Sequence, residues 1–122
     1  MPIVSMKDLR CNAQQHREKK EALRKKLRDL IAKDVAEELA KYQEIINSLE
    51  SLVDDGSVVS SDFRIESTIL PVLKDSYLNL KNAFDNTNAH YNDPNTHEFR
   101  KLIVRSISQK KYSSLLDRIE RL

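Results

Sequence analysis

"LRDLIAKDVAEEL", Leu27 to Leu39, is the stretch on which the fold of this chain turns. Leu27, Ile31, Val35 and Leu39 stand four residues apart, about one helical turn each time. They join two longer seams. Upstream, Leu9, Ala13, His16, Lys20, Leu23, Leu27 and Leu30 follow alternating steps of four and three. Downstream, Val35, Leu39, Tyr42, Ile46, Leu49 and Val53 do the same. The two seams are out of register, and the run of fours between them is a stutter that relaxes a supercoil. No glycine or proline interrupts the chain from Ser5 to Val53. The spacing predicts one long helix, or two nearly collinear ones bent near Lys33–Asp34.

The upstream seam carries His16 and Lys20 and reads as weak, and the downstream seam reads as strong. The expected organisation is therefore a projecting basic helix over 1–33 and a helical bundle over 34–122, with residues 35–53 in its core. "DDGSVVSSD", Asp54 to Asp62, reads as a loop, with Gly56 placed to end the first helix. A second helix is expected from Phe63 to Phe84, kinked at Pro71, which lacks a donor and crowds the turn before it. The Asn-, Asp- and Thr-rich run Asp85 to Thr96 reads as a second loop near 85–95, with Asp93 or Asn95 capping the third helical segment. Apolar residues Phe99 to Ile107 and Tyr112 to Leu122 form two further faces around the polar "SISQKKYSS". The fold class is all-α: a long N-terminal heptad-patterned helix with two to four shorter helices in an antiparallel bundle.

Composition narrows the function. Charged residues make up 33% of the 122, above the globular average of about 25%. A single glycine argues against phosphate-cradling loops and hairpin-rich barrels. Cys11 is alone, so no internal disulfide forms, and a reducing compartment, nuclear or cytoplasmic, is expected. The apolar run at the N-terminus is too short for a signal peptide, Pro2 stands where myristoylation needs glycine, and no run is long enough to span a membrane. His16, His90 and His97 lack metal-ligand spacing, and no nucleophile–base or nucleotide motif is present, so no enzyme activity, metal or cofactor is expected.

The net charge of +2 conceals a gradient. Residues 1–33 hold ten Lys/Arg and four Asp/Glu, residues 34–85 four and eleven, and residues 86–122 seven and four. The chain reads as basic, acidic, basic, able to fold back on itself or to present basic ends to an acidic partner. The expected interface lies on the first helix: Leu9, Leu23, Leu27 and Leu30 as apolar contacts, with Arg17, Arg24, Lys25, Lys26 and Arg28 steering the partner. The function expected from this is a non-catalytic interaction or scaffold subunit, as a homo-dimer or within a hetero-complex. The alternative is a nucleic-acid-binding module using the same basic helix, in which Lys and Arg neutralise phosphates.

"LRKKLRDLIAKD", "SSDFRIESTILPVLKDSYLNL" and "NAFDN…EFRKLIV" together resemble the N-terminal region of the kleisin subunit of the DNA-repair type of structural-maintenance-of-chromosomes complex. Arg24, Arg28 and Leu30 match that family's basic opening helix, and Asp62 with Arg64 its later Leu-Asp-x-Arg segment. The resemblance implies an all-helical segment docked helix-on-helix against the coiled coil of an ATPase partner, in a chromosome-associated assembly.

Overall fold

A computed structural model describes residues 6–54 and 65–122, and within the first span the side chains of Arg10 and of residues 12–54. The expected loop near 54–61 and the motif residues Asp62 and Arg64 lie outside the described residues, apart from Asp54 itself. Among the described residues the fold is all-α. Helix α1 (Met6–Asp54) is followed by a short π-helical turn (Ile65–Ile69), α2 (Leu70–His90), α3 (His97–Arg105) and α4 (Gln109–Glu120). At 1.5 Å per residue, the 49 residues of α1 make a rod about 73 Å long.

The chain order of contacts gives the topology. Arg28 reaches Asn88, and Glu50 reaches Lys74, so α2 runs back along α1. Arg24 reaches Glu120, Asp34 reaches Tyr112, and Glu38 reaches Ile107, so α4 also runs back along α1. Both are antiparallel to α1 and therefore parallel to each other. Helix α3 packs on α2 and α4 and completes a second layer with α4 above the α1–α2 pair.

The core joins Leu27, Ile31 and Val35 of α1 to Leu80, Phe99, Leu102, Ile103, Tyr112 and Leu116, with Leu30, Leu39, Tyr42 and Phe84 packed at its margin. It thus starts inside the segment expected to project. Helix α1 passes Lys33–Asp34 without interruption, and the boundary expected there has no counterpart in the packing. The densest part of the unit lies nearer the N-terminus than 35–53. The reason is at the seam positions that read as weak. Helix α4 ends beside them with unpaired carbonyls, which attract donors and positive charge. His16 Nε2 lies 2.6 Å from the carbonyl oxygen of Leu122, and Lys20 Nζ donates to the carbonyl of Glu120 at 3.0 Å. Polar residues in that seam complete a helix end.

Three local expectations change. Pro71 falls in the first turn of α2, directly after the π-helical turn, so the missing donor sits where a new winding begins and costs no α-helical bond. Asp85 to His90 is helical, which shortens the connection to residues 91–96. Buried Thr87 donates its hydroxyl to the carbonyls of Ala83 (2.8 Å) and Phe84 (3.1 Å), and Lys81 pairs with Asp85 at 3.0 Å. These bonds hold a polar run in helix. The cap of α3 is Thr96, whose hydroxyl accepts from Phe99 N at 3.3 Å; Asp93 instead takes Asn95 N at 2.9 Å and shapes the turn before it. The break expected within "SISQKKYSS" separates α3 from α4 at residues 106–108.

Candidate functional site

The residues expected to face a partner are dispersed by the fold. Leu27 is 4% exposed and belongs to the core; Leu30 packs against it, and Leu23 is half-buried. Arg24 donates from Nε and Nη2 to both carboxylate oxygens of Glu120, at 2.7 and 2.8 Å. This fork holds the Glu120 carboxyl below the usual carboxylate range and raises Arg24, the hydrogen bond being the largest cause of both. Arg28 donates to the side chain of Asn88 at 2.9 Å and to Asp29 at 3.2 Å. Arg17, Lys25 and Lys26 are exposed. The side chain of Leu9 lies outside the described ones. Leu27, Leu30, Arg24 and Arg28 thus have partners within the chain, because α4 and the C-terminal end of α2 occupy the face they were expected to show.

A cleft of about 570 Å³ lies over this region, lined by Glu21, Arg24, Lys25, Arg28, Asp29, Asn92 and Asp93. Its three cations face three carboxylates, so it offers no net field to a charged ligand. On the other flank Asp34 accepts from the hydroxyl of buried Tyr112 at 3.0 Å. Burial, and then the Asp34 carboxylate, push the Tyr112 hydroxyl up to about 12. Glu38 accepts from Ile107 N at 3.0 Å, and burial raises its carboxyl. These groups staple α4 to α1. Among the described residues, no three His, Cys, Asp or Glu converge to hold a metal ion, and no helix is long and apolar enough to cross a membrane.

An open apolar face appears further along α1. The stripe that meets α4 runs through Lys20, Arg24, Leu27, Ile31, Asp34 and Glu38, in steps of three and four. The same steps lead on to Tyr42, Ile45, Leu49 and Leu52. Helix α4 stops short of them, since Ile107 in the turn before it already lies beside Glu38. Helix α2 shows the same overhang. Asn79 and Ala83 line a cleft with Lys101 and Arg105 of α3, whereas Val72 and Ser76, on that side three to four residues earlier, lie beyond Arg105, where α3 ends. The result is a two-helix hairpin that outruns its second layer. Its inner seam is closed by buried Ile46 and Leu70, and Glu50 pairs with Lys74 at 2.6 Å. Its second-layer side is open: Ile45, Leu52, Ile69 and Val72 keep 43–59% of their surface exposed, and Ile107 keeps 79%. Ile45, Tyr42 and Ile107 share a cleft of about 390 Å³ with Glu37, Glu38 and Lys41.

The stepwise reading of single seams passes over this face. A signal for it exists in the apolar doublets Ile45–Ile46 and Leu52–Val53. On a helix, neighbouring residues point about 100° apart, so a repeated doublet marks two apolar faces. One meets α2, and the other is left uncovered.

Comparison with known proteins adds no relative: no family model, curated protein or solved structure matches the chain.

Proposed function

We propose that this chain is a non-catalytic helical interaction module, a subunit or scaffold element of a larger assembly, which docks a partner helix on the open side of the α1–α2 hairpin. The observation that carries the reading is the apolar stripe that α4 covers as far as Glu38 and leaves bare at Ile45, Leu49 and Leu52. A helix laid there would extend the second layer and bury side chains already ordered by the hairpin, the helix-in-groove mode of recognition. The resemblance to kleisin N-terminal regions supports the same kind of role, helix-on-helix docking in a chromosome-associated complex, although Arg24 and Arg28 are already engaged.

A photo-crosslinking residue placed at Leu52 or at Lys26 tests this in cells. The expected outcome is capture of a helical protein from Leu52, lost in Ile45→Asp/Leu52→Asp and kept in Lys25→Glu/Lys26→Glu. The opposite pattern would overturn it. A second reading, nucleic-acid binding, draws on Arg17, Lys19, Lys25, Lys26 and Lys33, all exposed, with Lys19, Lys26 and Lys33 seven residues apart on one stripe. Fluorescence anisotropy with duplex and single-stranded DNA and RNA across salt decides it: a steep loss of affinity with salt supports phosphate contacts, and no binding near physiological salt removes them.

A further inference from the structure

The hairpin face carries charge as well as apolar surface. Glu44 and Asp54 on α1, and Glu66 and Asp75 on the other limb, are exposed and make no hydrogen bond or ion pair with any described residue. Lys74 is taken by Glu50, which leaves Lys41 as the free cation among the described residues of the hairpin from 41 to 77. The occupant that this face selects is therefore a basic helix with a small apolar stripe.

The opposite end of α1 is such a helix. Beyond the contact of His16 with Leu122, no described residue packs against α1, and Arg10 and Asn12 to Gln15 are exposed. A lone helical segment of this length gains little stability without tertiary packing. In sequence the arm repeats Met6, Leu9 and Ala13 at steps of three and four, flanked by Lys7, Arg10 and Arg17. Its roughly 15 Å length fits the roughly 20 Å of open hairpin between Lys41 and Asp54. The first 28 residues of α1 carry ten bases and four acids, and its last 21 carry one base and six acids. One helix thus holds both halves of a complementary pair.

Resting on the docking reading above, we infer that the hairpin face binds the N-terminal arm of a second copy of this chain, head to tail. Only one direction of the arm fits. With its Met6 end toward Ile107, the body of the incoming copy lies past the hairpin tip; reversed, that body would run into α3 and α4. Such a contact joins two different surfaces, so each copy keeps one free arm and one free hairpin, and the assembly stays open-ended. The contact is small, at the low end of specific interfaces, so association is weak and depends on concentration.

Sedimentation velocity from about 10 to about 500 μM tests this, at about 50 and about 500 mM salt. The expected result is a mean mass that at least doubles over the range at low salt and returns to the monomer at high salt. Arg10→Glu/Arg17→Glu changes only exposed arm residues, and Ile45→Asp/Leu52→Asp only the face; each is expected to stay monomeric with unchanged helical circular dichroism. Mixed one to one, they are expected to stop at a dimer, since one supplies the intact face and the other the intact arm. A wild type that stays monomeric throughout, or one whose association survives the arm reversal, overturns the inference. A synthetic helix of residues 1–20 and an unrelated basic amphipathic helix separate the two levels. If only the unrelated helix binds the face, and Ile45→Asp/Leu52→Asp abolishes that binding, the occupant is another protein and self-association is wrong. If neither helix binds, the docking reading falls with it.

Discussion

Leu27 and Leu52 look alike in sequence, and the structure gives them opposite roles. Leu27→Ala removes three carbons from a side chain that is 4% exposed and packed among α1, α3 and α4 residues. At about 0.8 kcal/mol for each buried carbon, plus a term for the cavity left behind, the cost is about 3 kcal/mol. With a urea dependence of about 1.5–2 kcal/mol/M for a domain of this size, the unfolding midpoint should fall by about 1.5–2 M. An unfolding entropy of about 0.25 kcal/mol/K for this length places the fall in Tm near 12 °C. Leu52 is 43% exposed, and Leu52→Ala should stay within about 0.5 kcal/mol of wild type. Urea titrations followed by circular dichroism measure both. A Leu27→Ala midpoint within about 0.3 M of wild type would refute the core assignment. A Leu52→Ala loss as large as that of Leu27→Ala would refute the open hairpin.

The ion pair at the end of α4 predicts an acid dependence. Arg24 lowers the Glu120 carboxyl in the folded chain, so the stability it contributes is complete above the ordinary value of 4.5 and is lost as the pH falls through the lower folded value. The difference in urea midpoint between wild type and Glu120→Gln should therefore be present at neutral pH and shrink toward zero in acid; an equal difference at both would remove Arg24 as its source. Tyr112 predicts the alkaline side. Its hydroxyl is raised from 10.0 to about 12, so its contribution is whole below the unfolded value and fades as pH climbs through the folded one. Tyr112→Phe should delete a phenolate absorbance step near pH 12 and, through the lost bond to Asp34, cost about 1 kcal/mol at neutral pH. A deleted step near the ordinary value would contradict the burial of this ring.

The helical class, the long α1 and the break before α4 are legible in sequence because each rests on local spacing. Leu27, Ile31 and Val35 stand in one stripe whatever covers them, and "SIS" interrupts the apolar pattern between Ile103 and Tyr112. What covers a stripe is not local. Lys20 in an apolar seam reads as a defect until the carbonyl of Glu120, 100 positions away, is placed beside it. Arg24 and Arg28 read as free charge for the same reason. Asp85 to His90 reads as a turn because its residues bond readily to nearby backbone; buried Thr87 does form such bonds, but to carbonyls of the preceding helical turn. The open hairpin depends on where α3 and α4 stop relative to α1, and that is set by tertiary register.

The antiparallel return of α4 along α1 also orders events during synthesis. Arg24 and Glu120 are 96 positions apart. At roughly 5–20 residues per second, a ribosome needs about 5–20 s between making the one and the other. Through that interval α1 can coil, since its hydrogen bonds are local, while the apolar stripe through Leu27 and Ile31 waits for the helix that will shield it. A nascent chain therefore displays on its first helix the kind of sticky surface that chaperones hold, and premature termination before Tyr112 would leave that surface bare for good.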